Sequence, residues 1–271
     1  MNELDASEVR DYVRERYGAL AAQSDNAGCC RPAKSPNQKN GCGCGGGDAA
    51  TTYAEKLGYS ADDIAGVPEG ADLGLGCGNP LALASIKPGE TVLDLGSGAG
   101  FDCLLAARQL QGTGRVIGVD MAPPMITKAR HNAAKAGFAN VEFRLGEIEH
   151  LPVADGSVDL IISNCVINLS PEKSQVYREA YRVLKLGGRL AIADVVATQP
   201  VPEKLRHKLA AIGACVAGAA LVHDVKAMLL AAGFARVDVR PRENSRRIVA
   251  EWTEWKDVAD FVVSAYVTAY K

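Results

Sequence analysis

Short apolar runs alternate with segments of helical periodicity through the middle of the chain. The runs are nearly continuous in apolar residues, which is typical of strands buried on both faces. The predicted strands are Thr91–Leu95, Arg115–Asp120, Val141–Gly146, Val158–Asn164 and Arg189–Asp194. The predicted helices between them are Phe101–Leu110, Pro123–Ala136 and Pro171–Leu184. This alternation predicts the α/β class with a Rossmann-like, doubly wound, mostly parallel sheet.

The residues before this core show a helical pattern and then a cysteine-rich stretch. Apolar side chains from Val9 to Leu20 recur on one face, which predicts an N-terminal helix over residues 5–20. Residues 24–50 are rich in Asn, Gly, Pro and Lys, and they contain Cys29, Cys30, Cys42 and Cys44. This composition predicts a mobile loop of low complexity.

The residues after the core predict two helices, one strand and a terminal helix. Glu203–Ala219 and His223–Ala232 have helical spacing, and Ala235–Val239 is a predicted strand. Apolar residues between 248 and 270 also recur at helical spacing, which predicts a C-terminal helix. We therefore divide the chain into an N-terminal segment (1–70), a principal domain (71–240) and a C-terminal helical extension (241–271).

Composition and charge narrow the class of partner. The 271 residues carry a net charge of −2 and the pI is about 6.1, so nucleic acid is not an expected partner. No stretch approaches the roughly 20 apolar residues of a membrane span, and no signal-peptide core is visible. We expect a cytoplasmic monomer whose eight cysteines are thiols rather than disulfides.

A glycine loop follows the first predicted strand and contains Asp94, Gly96, Ser97, Gly98 and Gly100. Glycines at the end of such a strand let a ligand approach the backbone closely. Dinucleotide sites have the spacing Gly-x-Gly-x-x-Gly, whereas this loop has Gly-x-Gly-x-Gly with an Asp two residues ahead. The pattern is similar to that of class I methyltransferases, whose ligand carries a sulfonium and an ammonium. A structural turn in an inactive fold is the remaining interpretation.

The ends of the next strands extend the predicted cofactor site. Asp120 ends the second strand, where its carboxylate can accept hydrogen bonds from both hydroxyls of a ribose. Met121 is placed to cover an adenine, and Glu147 and Ile148 follow the third strand, where adenine contacts are expected. Asn164 ends the fourth strand and is expected to face the transferred methyl group. Met121 and Ile148 are also compatible with ordinary core packing.

Three cysteines outside the cysteine-rich stretch are candidates for the substrate side of this cleft. Cys165 follows the fourth strand, at the edge where ligands bind in such folds. Cys215 has small neighbours within a predicted helix, and Cys77 occupies a tight Gly-Cys-Gly loop before the core. A lone cysteine is most often a small buried hydrophobe, which is our interpretation of Cys103.

Several segments together resemble arsenite methyltransferases over roughly residues 70–240. The matching segments are Gly76–Gly78, Leu93–Gly98, Gly118–Met121, Ser163–Leu169 and Glu179–Lys185, together with Cys215 and its neighbours. The resemblance implies S-adenosylmethionine as methyl donor and Cys165 and Cys215 as As(III) ligands. Cys77 is implied as a third ligand or redox partner, and an N-terminal cysteine is implied in thiol exchange. Leu75 departs from the pattern, because animal and algal members have a tyrosine there.

Trivalent arsenic suits these side chains chemically. As(III) is soft, binds thiolates in a pyramid and keeps a lone pair on its open face. Arsenic has no proton to lose, so methyl transfer needs positioning rather than a general base. Methylation oxidises arsenic to As(V), and we therefore expect an external thiol reductant of the thioredoxin or glutathione type. The expected function is arsenic detoxification, with arsenite or a methylated arsenical as substrate.

Other functions remain open at this level. A methyltransferase acting on a small organic acceptor of the quinone or sterol type fits the fold, but it has no need of thiols. A non-catalytic, thiol-based arsenic-binding protein fits the cysteines, but it leaves the intact Asp94 and Asp120 unexplained. A zinc site in the cysteine-rich stretch is a further alternative, although the spacing is not that of a common zinc module.

Overall fold

The computed structural model describes residues 5–25, 48–242, 245–246 and 258–271. The strands are β1 (Thr91–Leu95), β2 (Arg115–Asp120), β3 (Val141–Leu145), β4 (Val158–Asn164), β5 (Leu184–Ala197), β6 (Ala235–Pro241) and β7 (Val262–Tyr270). The first helices are α1 (Ala6–Asp25), α2 (Asp48–Leu57), α3 (Ala61–Ala65), α4 (Leu81–Ala84) and α5 (Phe101–Leu110). The later helices are α6 (Pro123–Ala136), α7 (Lys173–Val183), α8 (Glu203–Arg206), α9 (Leu209–Gly213) and α10 (Val222–Ala231). Short 3-10 segments cover Ile167–Leu169 and Val258–Asp260.

The seven strands form one sheet in the order β3-β2-β1-β4-β5-β7-β6. Strands β1 to β5 are parallel, and β7 runs antiparallel between β5 and β6. The predicted α/β, mostly parallel, doubly wound fold is confirmed. The carboxyl ends of β1, β2 and β4 meet at one edge, where a sheet of this type places its ligand.

Side chains of the central strands alternate between two cores, as the period of two in a strand requires. Leu93 and Ile161 belong to the core that includes Val176 of α7 and Leu229 of α10. On the opposite face, Val92, Leu160 and Ile162 pack in a core with residues of α5 and α6. Burial on both faces explains why these strands are apolar at nearly every position.

The C-terminal helix predicted from apolar spacing is wrong for residues 262–270, which form β7. This segment contains many β-branched and aromatic residues and suits a pleated strand better than a helix. Strand β7 pairs with β5 from Arg189 opposite Tyr270 to Ala197 opposite Val262. The C-terminal residues are therefore part of the main sheet. Trp252 and Trp255, which belong to the same predicted helix, lie outside the described residues. The division of the chain into three segments stays a prediction.

The long helix predicted over Glu203–Ala219 is also wrong. It is replaced by the short helices α8 and α9, and Cys215 lies beyond the end of α9 rather than inside a helix. Pro202 precedes this region and Gly213 and Gly218 lie within it, and Gly interrupts helices because it loses more backbone entropy than Ala. Cys215 therefore lies in a turn after α9, where its backbone has a positive φ angle rather than a helical one.

The N-terminal helix is confirmed and extends to Asp25, and α2 begins at Asp48, so the predicted loop is helical at both of its ends. Helix α1 packs on α6 and α9, across the carboxyl edge of the sheet. Cys29, Cys30, Cys42 and Cys44 lie outside the described residues. Over the described ranges, no helix has the length and apolar character needed to span a lipid bilayer.

Candidate active site

The loop between β1 and α5 has a backbone shape that favours glycine. Gly96, Gly98 and Gly100 have φ angles of 72°, 52° and 93°. The Gly98 N–H donates to one carboxylate oxygen of Asp120 at 3.0 Å, and the other oxygen accepts from the Ala122 N–H at 2.9 Å. The glycine loop and the end of β2 are thereby held together at the carboxyl edge of the sheet.

A cavity of about 380 Å³ opens beside this loop and is bounded by α1, the loop itself and the ends of β2 and β4. Most of the residues predicted to bind the cofactor line it. They are Asp94, Gly96, Ser97, Gly98, Asp120, Met121, Ile148 and Asn164. The structure therefore brings these separate sequence segments to one site.

Gly100 and Glu147 were also predicted to bind the cofactor, but they lie outside this lining. A side chain at Gly100 would approach the Phe143 ring to 2.9 Å, so this glycine allows close packing between the loop and β3. Glu147 accepts a hydrogen bond from Arg14 of α1 at 3.0 Å. Each residue has a contact within the protein that accounts for its position.

Buried carboxyl groups give one wall of the cavity an acidic character. Burial raises the pKa of Asp94 well above its ordinary value, and it raises that of Asp102 to about 6. Asp94 accepts a hydrogen bond from the Cys103 thiol at 3.3 Å, and Asp102 accepts one from the Tyr59 hydroxyl at 2.6 Å. A cationic ligand would offset the cost of ionising these groups.

Among the described residues, three buried polar atoms of the cavity lining have no hydrogen-bond partner. One is Arg10 Nε, which lies 3.5 Å from a carboxylate oxygen of Glu149, and the other two are the Ser97 hydroxyl oxygen and one carboxylate oxygen of Asp72. Buried polar groups are nearly always hydrogen-bonded, so unpaired ones in a cavity indicate a polar ligand. Together with the acidic wall, they fit the hydroxyl, ammonium and sulfonium groups of S-adenosylmethionine.

Asn164 lines the cavity, but its side-chain amide is bonded to the protein. Its Nδ2 donates to the Tyr59 hydroxyl at 3.0 Å, to the Gly78 carbonyl at 2.9 Å and to Asp102 at 3.3 Å. Its Oδ1 accepts from the Cys77 N–H at 2.9 Å. Asn164 therefore joins the acidic wall of the cavity to the loop that carries Cys77.

Cys165 and Cys215 both line the cavity and both have a φ angle of 59°. A left-handed backbone is uncommon for residues other than glycine, and it occurs often at functional sites. The Cys165 N–H donates to the Ala193 carbonyl at 2.8 Å, and the Cys215 thiol donates to the Cys165 carbonyl at 3.2 Å. The two cysteines come from loops after β4 and α9 and meet at this edge.

Cys77 lies on the other side of Cys165, whose thiol contacts those of both Cys77 and Cys215. It is fully buried, and its sulfur, the Cys165 sulfur and a carboxylate oxygen of Asp194 lie within 4.8 Å of one another. The neighbouring thiols of Cys215 and Cys77 raise the pKa of Cys165 well above its ordinary value. Burial raises the pKa of the Cys77 thiol. The three predicted cysteines thus converge beside the cavity, as expected from the sequence.

Several residues of the site were missed by sequence reasoning. Tyr17 of α1 lines the cavity, and its hydroxyl donates to the Gly213 carbonyl at 3.2 Å, two residues before Cys215. Asp102 and Asp194 were also missed, although each is a lone acid in an apolar segment. An isolated carboxylate among core residues was the available signal. No comparable signal identified Tyr17, because its helical spacing matched ordinary packing.

Asp194 fixes the segment that follows Cys165. Its carboxylate accepts hydrogen bonds from the backbone N–H groups of Ile167 at 2.9 Å and Val195 at 2.7 Å. The Asn168 side chain donates to it at 2.9 Å. Burial raises the pKa of Asp194 to about 6 and lowers that of the nearby Lys173.

Comparisons with known proteins agree with this geometry. Residues 86–256 match the family model described as a methyltransferase domain. The chain is 52% identical to an arsenite methyltransferase of Halobacterium salinarum, over 98% of this chain and 68% of that protein. It is 45% identical to an arsenite methyltransferase of Aquipseudomonas alcaligenes, over 59% of this chain and 47% of that protein.

A solved structure supports the same relationship. The crystal structure of an arsenic(III) S-adenosylmethionine methyltransferase from Chlamydomonas reinhardtii is 32% identical, with a TM-score of 0.58. The match covers 82% of this chain and 73% of that one. The chain thus spans about half to three quarters of the length of these relatives.

Proposed function

The chain belongs to the arsenite methyltransferase family, and on that premise we propose that it methylates thiolate-bound trivalent arsenic with S-adenosylmethionine as donor. One observation carries the proposal: the thiols of Cys77 and Cys215, from distant parts of the chain, both lie beside Cys165 next to an acid-walled cavity at the glycine loop. Arsenic detoxification is the biological purpose that this reaction would serve.

The donor is proposed to occupy the cavity between the glycine loop and α1. Asp120 would accept hydrogen bonds from the ribose, and Met121 and Ile148 would contact the adenine. The acidic wall formed by Asp94 and Asp102 would face the cationic end of the molecule. S-adenosylmethionine supplies a methyl group activated by the sulfonium, and the protein's task is to orient that group and exclude water.

Arsenite is proposed to bind as a pyramid on the sulfurs of Cys77, Cys165 and Cys215. Arsenite exchanges its hydroxides for thiolates, and soft ligands make this exchange favourable. Because Cys165 and Cys215 line the cavity whereas Cys77 lies behind them, the open face of the pyramid would point toward the donor. The reaction then needs no general base, since arsenic loses no proton.

Repeated turnover requires two electrons, because methyl transfer leaves arsenic as As(V). We propose that two cysteine thiolates supply the pair and become a disulfide, which returns arsenic to As(III). Cys77 and one N-terminal cysteine are the proposed pair. An external thiol reductant, one dithiol of the thioredoxin type or two monothiols of the glutathione type, would reduce the protein disulfide and itself become a disulfide. Reduction of the disulfide requires a reducing compartment, so we propose that the protein is cytoplasmic. We further propose that it acts as a monomer and that its substrates are arsenite and methylated arsenicals.

The test is arsenic speciation after incubation of the chain with arsenite, S-adenosylmethionine and a dithiol. We expect methylated arsenic from the native chain and at most traces from Cys165→Ser. Cys103→Ser is the matched control, because Cys103 is a buried thiol of α5 outside the group of Cys77, Cys165 and Cys215, and a serine hydroxyl can still donate to Asp94. If native chain produces no methylated arsenic, the proposal is wrong, and parallel assays with a quinone acceptor would test the alternative acceptor class.

A further inference from the structure

The peptide groups of Cys77 are held from two sides by side chains. On the amide side, the Cys77 N–H donates to Asn164 Oδ1 at 2.9 Å. On the carbonyl side, the Cys77 oxygen accepts from Arg242 Nη1 at 2.7 Å and from the Ser264 hydroxyl at 2.7 Å. Asn164 ends β4, Arg242 directly follows β6, and Ser264 lies in β7. Residues distant in sequence therefore converge on one peptide.

The two glycines beside Cys77 are required by the same side chains. A Cβ at Gly76, whose φ is 108°, would lie 2.9 Å from the amide of Asn164. A Cβ at Gly78 would lie 2.8 Å from Ala193 and 3.2 Å from Arg242. The Gly-Cys-Gly sequence thus reflects close contact with the residues that hold Cys77.

The residues that hold Cys77 are themselves fixed. The Arg242 guanidinium donates a second hydrogen bond to the Leu57 carbonyl at 3.1 Å and stacks 5.1 Å from the centre of the Tyr266 ring. Ser264 is fully buried in β7, which pairs on both edges. The loop carrying Cys77 has no strand of its own, so these contacts attach it to the sheet.

We propose that Asn164, Arg242 and Ser264 are positioning residues that hold the Cys77 sulfur beside Cys165 as the third arsenic ligand. This rests on the proposed function, in which Cys77 binds arsenic. Cys165 and Cys215 are fixed by their own left-handed turns, whereas Cys77 depends on side chains that reach it from outside its loop. Because the three cysteine ligands are already held in place, less conformational entropy is lost when arsenic binds.

The principal test is Ser264→Ala, which removes one hydroxyl and little volume. A net hydrogen-bond contribution of roughly 1 kcal/mol corresponds to about five-fold weaker arsenite binding. We expect this loss with a smaller effect on the affinity for S-adenosylhomocysteine, together with a weaker near-ultraviolet arsenic–thiolate absorption. The absorption reports the number of sulfurs on arsenic, and a general loss of stability would not change it in folded protein.

A double-mutant cycle with Cys77→Ser decides whether Ser264 acts through Cys77. In the Cys77→Ser background, Ser264→Ala should cause no further loss of arsenite affinity. Equal losses in both backgrounds, or no loss in either, would overturn the positioning role. If Cys77→Ser alone leaves arsenite binding and its absorption unchanged, the ligand assignment of the proposed function fails instead.

A second pair of variants tests whether Arg242 holds Cys77 in place. Arg242→Lys keeps the charge but cannot reach both the Cys77 and Leu57 carbonyls as a planar fork does. We expect it to weaken arsenite binding several-fold, again only when Cys77 is present. Arg240→Lys is the matched control, because Arg240 lies two residues earlier, on β6, and pairs with Asp238 at the surface. Arg242→Lys behaving like Arg240→Lys would contradict the proposal.

Discussion

The Cys215 thiol donates a hydrogen bond to the Cys165 carbonyl at 3.2 Å, and both residues have the same left-handed φ of 59°. A left-handed conformation costs a non-glycine residue roughly 1–2 kcal/mol, and that cost persists where the surroundings fix the residue. Here the fixed conformation directs two thiols from different loops to one side of the cavity. Their mutual placement is thus a property of the fold itself.

Cys215→Ser should abolish most arsenite methylation without unfolding the protein. Serine can adopt the same backbone conformation and donate to the same carbonyl, but its hydroxyl is a hard and weak ligand for arsenic. We expect turnover at low arsenite to fall on the order of 100-fold, which is about 2.7 kcal/mol of lost transition-state stabilisation. Arsenic speciation measures the loss, and thermal unfolding checks the fold. Near-native methylation by this variant would exclude Cys215 as a ligand.

The sequence predicted the parallel core and brought together many of the residues that line the cavity, because both depend on local patterns. Apolar runs identified β1, β2 and β4, and the carboxyl ends of those strands placed Asp94, Asp120 and Cys165 at one edge. This step needs only the rule that parallel strands end together.

The parts that the sequence did not predict depend on contacts between distant segments. The apolar residues of β7 are compatible with the spacing of a helix and with that of a strand. Pairing with β5, which is distant in sequence, stabilises the strand. The side chains that bond to Cys77 lie 87 to 187 residues away along the chain, so no local sequence pattern predicts these contacts. Tyr17 similarly enters the site only because α1 packs across the edge of the sheet.

Binding of S-adenosylmethionine should strengthen as the pH rises from 5 to 7. Burial raises the pKa of Asp102 from 3.8 to about 6, so this group is mostly protonated at pH 5 and mostly ionised at pH 7. A cationic ligand favours the ionised form, and one such group can account for up to about a ten-fold increase in affinity over this interval. Calorimetric titration at several pH values measures it.

The raised pKa of Asp102 has the opposite effect on the folding stability of the unliganded protein, which should fall as the pH rises. Because the folded pKa of Asp102 lies above its unfolded value, its contribution favours folding at low pH and is lost as the pH rises from about 4 through 6. Asp102→Asn should flatten part of the pH dependence of both binding and stability. An unchanged binding profile in Asp102→Asn would show that the titrating group lies elsewhere.

Glu147→Gln distinguishes a cofactor contact from a contact that holds α1. Glu147 pairs with Arg14 at 3.0 Å and both side chains are about one-third exposed, so the pair should contribute at most about 1 kcal/mol. We expect Glu147→Gln and Arg14→Gln to raise the KM for S-adenosylmethionine by the same small factor, about two-fold to three-fold. Moderate salt should reduce the difference in KM between each variant and the native protein, because salt screens the ion pair.

Glu142→Gln is the matched control for that comparison, because Glu142 forms a similar pair with Arg144 on β3, and neither residue lines the cavity. This control should leave the KM for S-adenosylmethionine unchanged. A much larger effect of Glu147→Gln than of Arg14→Gln would instead favour the direct adenine contact predicted from the sequence.

Tyr17→Phe tests whether α1 helps to place Cys215. The Tyr17 hydroxyl donates to the Gly213 carbonyl at 3.2 Å, and Gly213 lies in close contact with Tyr12 and Arg16 of the same helix. Burial and the neighbouring thiols raise the pKa of the Tyr17 phenol well above its ordinary value, so it stays neutral and acts as a donor rather than a base. Losing one hydrogen bond of about 1 kcal/mol should raise the KM for arsenite roughly five-fold with little change in kcat.

The pH profile separates this role from acid–base catalysis. If Tyr17 only places the turn before Cys215, Tyr17→Phe keeps the shape of the native pH profile, and Tyr181→Phe, in α7 beside Phe234, has native arsenite kinetics. A loss of kcat together with a changed profile would mean that the phenol takes part in proton transfer. A native KM for arsenite in Tyr17→Phe would mean that the hydrogen bond to Gly213 does not determine where Cys215 lies.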